Sequence, residues 1–178
     1  MENESHSFSL LSHPDKLLID HLRNVGKIAS KTVTDKSLNI AEADLLRDMA
    51  YIIGVTHDFG KATKFFQKYI VEKDEKRRRT LKAMETTHHG LLSALFTYSV
   101  VKDYLRQARI KGSLAEYLPV ISFMIVKRHH GNLSNATNEA SEVNPANEDV
   151  LRTIEEQIDT IDRTELGKIL STLLLEGN

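Results

Sequence analysis

The sequence predicts an all-α protein, a compact bundle of helices. Three observations carry that expectation. Apolar residues recur at helical spacing along most of the chain. No stretch alternates apolar and polar residues as a half-buried strand does. One segment, Leu118 to His130, is apolar nearly all round until Lys127, which reads as a central buried helix.

Each element follows from local pattern. Residues 1–12 are polar and Ser-rich and read as a flexible segment. Pro14 and Asp15 mark a helix start. Leu17, Leu18, Leu22, Val25, Ile28 and Ala29 form its stripe, and His21 falls within it. Asp44 to Thr56 reads as a second helix, with Leu45, Leu46, Met49, Ala50 and Ile53 on one face. His57 extends that face one turn beyond Ile53. A short helix over Ala62 to Val71 carries Phe65, Phe66, Tyr69 and Ile70, and the charged run Lys73 to Lys82 follows as a connector. His88 and His89 open the next helix, continued by Leu92, Leu95, Phe96, Val100 and Leu105, with Ser93 one turn after His89. Gly131 stops the buried helix. Asn132 to Glu148, rich in Asn, reads as a long loop. Val150 to Leu175 holds one or two final helices with a stripe at Leu151, Ile154, Ile158 and Ile161. Without repeats or a composition break, the expectation is one domain over 1–178, which could be a piece of a longer chain.

Composition narrows the function. The chain has 178 residues, 40% hydrophobic and 28% charged, enough for a real core. The run Leu118 to Val126 is too short to span a bilayer, and no signal peptide is read at the N-terminus. Cysteine is absent, which excludes disulfides and thiolate zinc sites and fits a cytoplasmic location. Any metal must be held by imidazole and carboxylate. A net charge of −1 is not the footprint of a protein that grips nucleic acid over a long track. The basic cluster from Lys73 to Lys82 reads as a solvated face or as a local phosphate contact beside the active site.

The chemistry lies in the histidines. Six of the eight fall in four places: His21, His57 beside Asp58, His88-His89 and His129-His130. Helix ends and one inward helix face can bring these to a single pocket. Imidazoles joined by one carboxylate form a cation trap that suits Fe, Mn, Co, Ni or Zn. A carboxylate can bridge two such ions, and a metal pair activates water against a phosphate ester. Lys61, just past Phe59-Gly60, is placed to put an ammonium on a substrate phosphate. Ser93 could orient His89, touch a phosphate oxygen or simply pack. Phe65 and Phe66 read as core, with base stacking as the alternative.

These residues resemble the HD superfamily of metal-dependent phosphohydrolases, and within it the HD nuclease of type I CRISPR systems. The resemblance rests on His21, then His57-Asp58-Phe59-Gly60-Lys61 with Phe66-Gln67, then His89-Gly90-Leu91-Leu92-Ser93, then His129-His130-Gly131. It implies an all-helical HD domain that cuts single-stranded DNA with two divalent transition-metal ions: Fe, Mn, Ni or Co, with Mg possible. It implies that His21, His57 and Asp58 hold one ion. Asp58, His89, His129 and His130 would hold the other, with Lys61 on the scissile phosphate. The implied partners are a CRISPR-associated helicase and its surveillance complex, with no membrane. His88 matches no ligand of the pattern.

One departure stands out. HD proteins commonly supply a late Asp from an Ala-Asp or Ser-Asp pair, and none follows His130. Asp159 and Asp162 are the candidates on the terminal helices, with Asp162 the possible weak extra ligand. Two other readings stay open: an HD phosphohydrolase acting on a nucleotide or cyclic nucleotide, and a non-catalytic binding module.

Overall fold

The fold is organised by two helices that touch backbone to backbone. It is given by a computed structural model that describes residues 8–129 and 147–177. Helix α1 (Leu18–Asp35) and helix α2 (Ala43–Thr56) cross where Gly26 faces Gly54. A Cβ on Gly54 would lie 2.6 Å from Gly26 Cα, and one on Gly26 would lie 2.6 Å from Val55 Cγ1. Neither glycine can carry a side chain at this spacing. Gly54→Ala forces backbone against backbone, which no rotamer change relieves. Overpacking of this kind costs about 1–3 kcal/mol, more than the roughly 1 kcal/mol alanine gains over glycine in a helix. The expected net result is a lower urea midpoint. A midpoint equal to that of the wild type would show that the two helices can part freely.

Helices α3 (Lys64–Val71), α4 (Glu75–Lys82), α5 (Gly90–Gln107), α6 (Ser113–Lys127), α7 (Glu148–Asp159) and α8 (Arg163–Glu176) follow, with 3-10 turns at Phe59–Ala62 and Glu85–Thr87. The all-α architecture is as expected, and among the described residues only a two-stranded ribbon departs from it. Leu18, Leu22, Val55 and Phe59 pack with Leu166, Ile169 and Leu173 of α8. Met49, Ile52, Val101, Leu105 and Leu118 form a second cluster where α2 meets α5 and α6. Tyr51 spans α2 and α8, its hydroxyl donating to Leu173 O at 2.7 Å.

Four expectations require correction. The first concerns residues 8–12, which are not loose. Leu11–His13 (β1) pairs antiparallel with Lys16–Leu17 (β2), and Pro14-Asp15 turns between them, so α1 starts at Leu18. The ribbon is too short for alternation to show in sequence. It is held by Gln67, whose amide accepts from Leu11 N–H at 3.0 Å and donates to Leu11 O at 2.8 Å. Residues 1–7 lie outside the described residues.

The second correction is the charged connector, most of which is helix α4. Asp74 caps it by accepting from Arg77 N–H at 2.8 Å, and its basic last turn suits the C-terminal dipole. It buries no residue, so no apolar stripe announced it. Third, α6 is not buried all round. Tyr117 is 62% exposed, and Val120, Ile121 and Ile125 share that open face. Fourth, α5 begins at Gly90, with His89 as its N-cap. The expected stop at Gly131 and most of the expected loop over Asn132–Glu148 lie outside the described residues, and Glu148 already belongs to α7.

Candidate metal centre

Asp58 is the hub of the site, and it is 1% exposed. It follows His57, the C-cap of α2, and enters the 3-10 turn in which Lys61 N–H donates to Asp58 O at 2.9 Å. That turn is pinned from behind. Gly60 N–H donates to the buried Ser93 Oγ at 2.9 Å, and a Cβ on Gly60 would stand 2.7 Å from the His89 carbonyl oxygen. Ser93 therefore neither touches a phosphate nor orients His89 through its hydroxyl. It seats the turn against the start of α5, and this corrects its expected place in substrate binding.

Four imidazoles converge on the carboxylate in two pairs. His21 Nε2 lies 2.8 Å and His57 Nε2 3.3 Å from Asp58 Oδ2. His89 Nε2 lies 3.1 Å and His129 Nε2 3.0 Å from Oδ1. His21, His57 and Asp58 form one group whose ligand atoms all lie within 4.8 Å of one another, and Asp58, His89 and His129 form a second. The glycine crossing of α1 and α2 brings the first pair together. The ends of α5 and α6 supply the second.

The tautomers suit a cation. The Nδ1–H of His57 donates to Gly54 O at 2.8 Å, and that of His129 donates to Val126 O. A backbone carbonyl on Nδ1 leaves Nε2 as the atom that can ligate, the arrangement common among metal-bound histidines. In a neutral ring that Nε2 lone pair would face a carboxylate oxygen. The contact becomes favourable when a cation lies between them or when the ring is protonated. Burial pushes the His129 imidazole down, but its bonds to Asp58 and to the Val126 carbonyl outweigh this and leave it raised overall. This donor set therefore fits divalent metal.

Lys61 completes the cluster. Its ammonium lies 2.7 Å from Asp58 Oδ2 and stands over the Phe66 ring. Phe66 is buried against His89, which favours the core reading over base stacking. Gln67 donates to Lys61 O at 2.8 Å while also holding β1, so the Phe66-Gln67 pair braces the turn from a third side.

The family model for the Cas3 HD domain matches residues 12–173. The chain belongs to the Cas3 HD-domain family. Its members are HD-type hydrolases of CRISPR systems, and the His/Asp cluster here is able to hold metal. A solved structure, the CRISPR-associated Cas3 HD domain protein from Methanocaldococcus jannaschii, is similar at 20% identity. That match has a TM-score of 0.45 and covers 97% of this chain and 100% of the other. No curated protein matches the sequence.

Several expected residues fall elsewhere. Asp162 does not reach the Cas3 HD cluster. It is the exposed N-cap of α8 and accepts from Thr164 and Glu165 N–H at 3.0 Å each, which accounts for its carboxylate. Asp159, at the C-terminal end of α7, is likewise exposed. His88 points away to Glu85 at 3.4 Å. His130 lies outside the described residues. Among the described residues, no helix is long and apolar enough to cross a membrane.

Two contributors were not anticipated. His13 on β1 stands with its ring 5.2 Å from that of His21, and burial, then Lys61 and His21, lower its pKa. Its signal was present as a histidine before Pro14, but nothing local marked the ribbon. Buried Gln157 of α7 donates to Thr86 O at 2.9 Å and His88 O at 2.8 Å, steadying the turn that leads into His89. A lone glutamine on a helix offers no sequence signal for that task.

Proposed function

We propose that this chain is a metal-dependent nuclease that hydrolyses phosphodiester bonds in single-stranded DNA, acting in CRISPR interference with a helicase partner and its surveillance complex. The supporting observation is the sharing of one buried carboxylate between two imidazole pairs, one pair at each oxygen. His21 and His57 would hold one ion with Asp58, while His89 and His129 would hold the other, joined by His130. The imidazole-rich set favours Fe, Mn, Co or Ni over Mg, which prefers oxygen ligands. When bound, a metal pair would supply an activated water for attack on a phosphodiester.

The residues prepare that chemistry. Asp58 lends its charge to both groups. The carbonyls of Gly54 and Val126 hold His57 and His129 with Nε2 inward. Lys61 lies on Asp58 Oδ2, at the junction of the two groups. The Lys61 ammonium would face the scissile phosphate and the charge that develops there. Near-neutral net charge fits a strand delivered by the helicase rather than captured over a long basic surface.

Circular single-stranded DNA incubated with Mn, Ni, Co or Mg in turn tests this reading. Opened and degraded circles are expected with the transition metals. Circles left intact under every metal, with a free nucleotide hydrolysed instead, would reassign the site to nucleotide chemistry.

A further inference from the structure

A cleft of roughly 480 Å³ opens beside the metal cluster, lined by Lys61 and His89 together with Tyr69, Lys82, Thr87 and Lys127. It holds an unmet polar group. Thr87 is 5% exposed, and its Oγ1 has no hydrogen-bond partner among the described residues. A buried hydroxyl left without a partner is costly unless something else satisfies it.

The cleft runs out onto α4, whose sequence Glu75-Lys76-Arg77-Arg78-Arg79-Thr80-Leu81-Lys82 carries five cations and one acid. Arg78 stands over the Tyr69 ring at 5.7 Å. Lys82, four residues on, shares that helix face and lines the cleft. A flat aromatic ring, a guanidinium beside it and spaced ammonium groups match a single-stranded nucleic acid, whose bases stack and whose phosphates seek cations.

We infer that a single strand enters along α4 and over this cleft. The Tyr69–Arg78 pair stacks a base, Lys82 and Lys127 hold phosphates, and Thr87 Oγ1 bonds the nucleotide nearest Lys61. This track rests on the nuclease reading for its purpose, although its binding can be measured without cleavage. It assigns a role to the basic cluster that the metal site leaves unused. It also reconciles nucleic-acid contact with a net charge of −1, because α4 gathers five cations against one acid within eight residues.

Binding of fluorescein-labelled oligo(dT) to the full chain, stripped of metal, is followed by anisotropy across a salt series. Arg78→Glu/Lys82→Glu is expected to weaken binding at least ~10-fold and to make the log–log salt slope shallower by about 0.7 for each phosphate that is no longer neutralised. Tyr69→Ala should weaken binding about fivefold or more with little change in slope. The control is Arg106→Glu/Arg109→Glu at the far end of α5, ~25 Å from His89 by helix rise, and it should bind as the wild type does. Arg78 and Lys82 on α4, Arg106 on α5 and Arg109 just beyond it are all exposed, and Mn uptake by each variant checks that the core is intact. If the α4 variant and the control share one affinity and one slope, or if the wild type does not bind, the track is wrong. Cleavage of circular DNA separates the two claims. A wild type that binds with the expected salt slope yet cuts nothing overturns the nuclease reading and leaves the track standing. Cutting that persists with α4 binding unaltered does the reverse.

Discussion

Asp58→Ala is expected to abolish cleavage of circular single-stranded DNA under every metal and, on the proposed two-ion reading, to prevent metal from being held at either group. Among the described residues, no other substitution should act on both groups at once, because of these only Asp58 belongs to each. Losing an outer partner of a metal ligand already costs roughly 10–100-fold in affinity or activity. Loss of a shared carboxylate should exceed that at both positions. Folding is affected as well. Lys61, 6% exposed at its side chain, loses its ion-pair partner, and breaking a buried pair costs about 3–5 kcal/mol. Because Lys61 borders the open cleft, its ammonium can turn toward water, so the lower end of that range applies. Asp58→Asn keeps the shape and removes the charge, so it separates the metal effect from packing. Metal content after loading with Mn, measured beside the cleavage assay, decides the matter. A variant that retains a full complement of ions, or still opens circles, would remove Asp58 from the centre of the mechanism.

Gly60→Ala should strike one group harder than the other. The new Cβ would meet the His89 carbonyl oxygen at 2.7 Å, His89 Cβ at 3.0 Å and Ser93 Oγ at 3.1 Å. The turn must then lift off the start of α5, stretching the Gly60–Ser93 bond and moving Asp58 away from His89 and His129. The His21–His57 pair sits on the other side of Asp58 and feels less of the change. Titration with Co, followed by its visible absorption, should show the weaker phase displaced by about 10–100-fold and the other nearly in place. Cleavage should fall by up to ~100-fold, the scale of an ångström-sized misplacement at a reacting centre. Superimposable titrations of variant and wild type would show that the turn tolerates the methyl group.

What could be read from the sequence was whatever leaves a periodic or compositional trace. The stripe holding His21, the helix ending at His57 and the histidine at the start of α5 all follow from spacing, and the structure places them on one carboxylate. The ribbon before α1 could not be seen, because its strands have three and two residues and its order comes from distant Gln67. Helix α4 was hidden because it buries no apolar face, so its capping and charge order were the only cues. Helix α6 misled for the opposite reason. Its apolar composition is real, but only one side meets α5, and composition does not report what covers the other. The role of Ser93 was likewise open. Spacing put it near His89, yet only coordinates show that its partner is the glycine of the turn.

The meeting of Gly26 and Gly54 has a consequence for how fast ions are taken up. Two bare main chains in van der Waals contact cannot approach further, and the packed core behind them resists their separation. The distance between His21 on α1 and His57 at the end of α2 is therefore held by a core that resists compression, whether or not an ion is present. Capture at that side of the carboxylate needs little rearrangement of the polypeptide, so its rate should follow how readily each hydrated cation sheds its water.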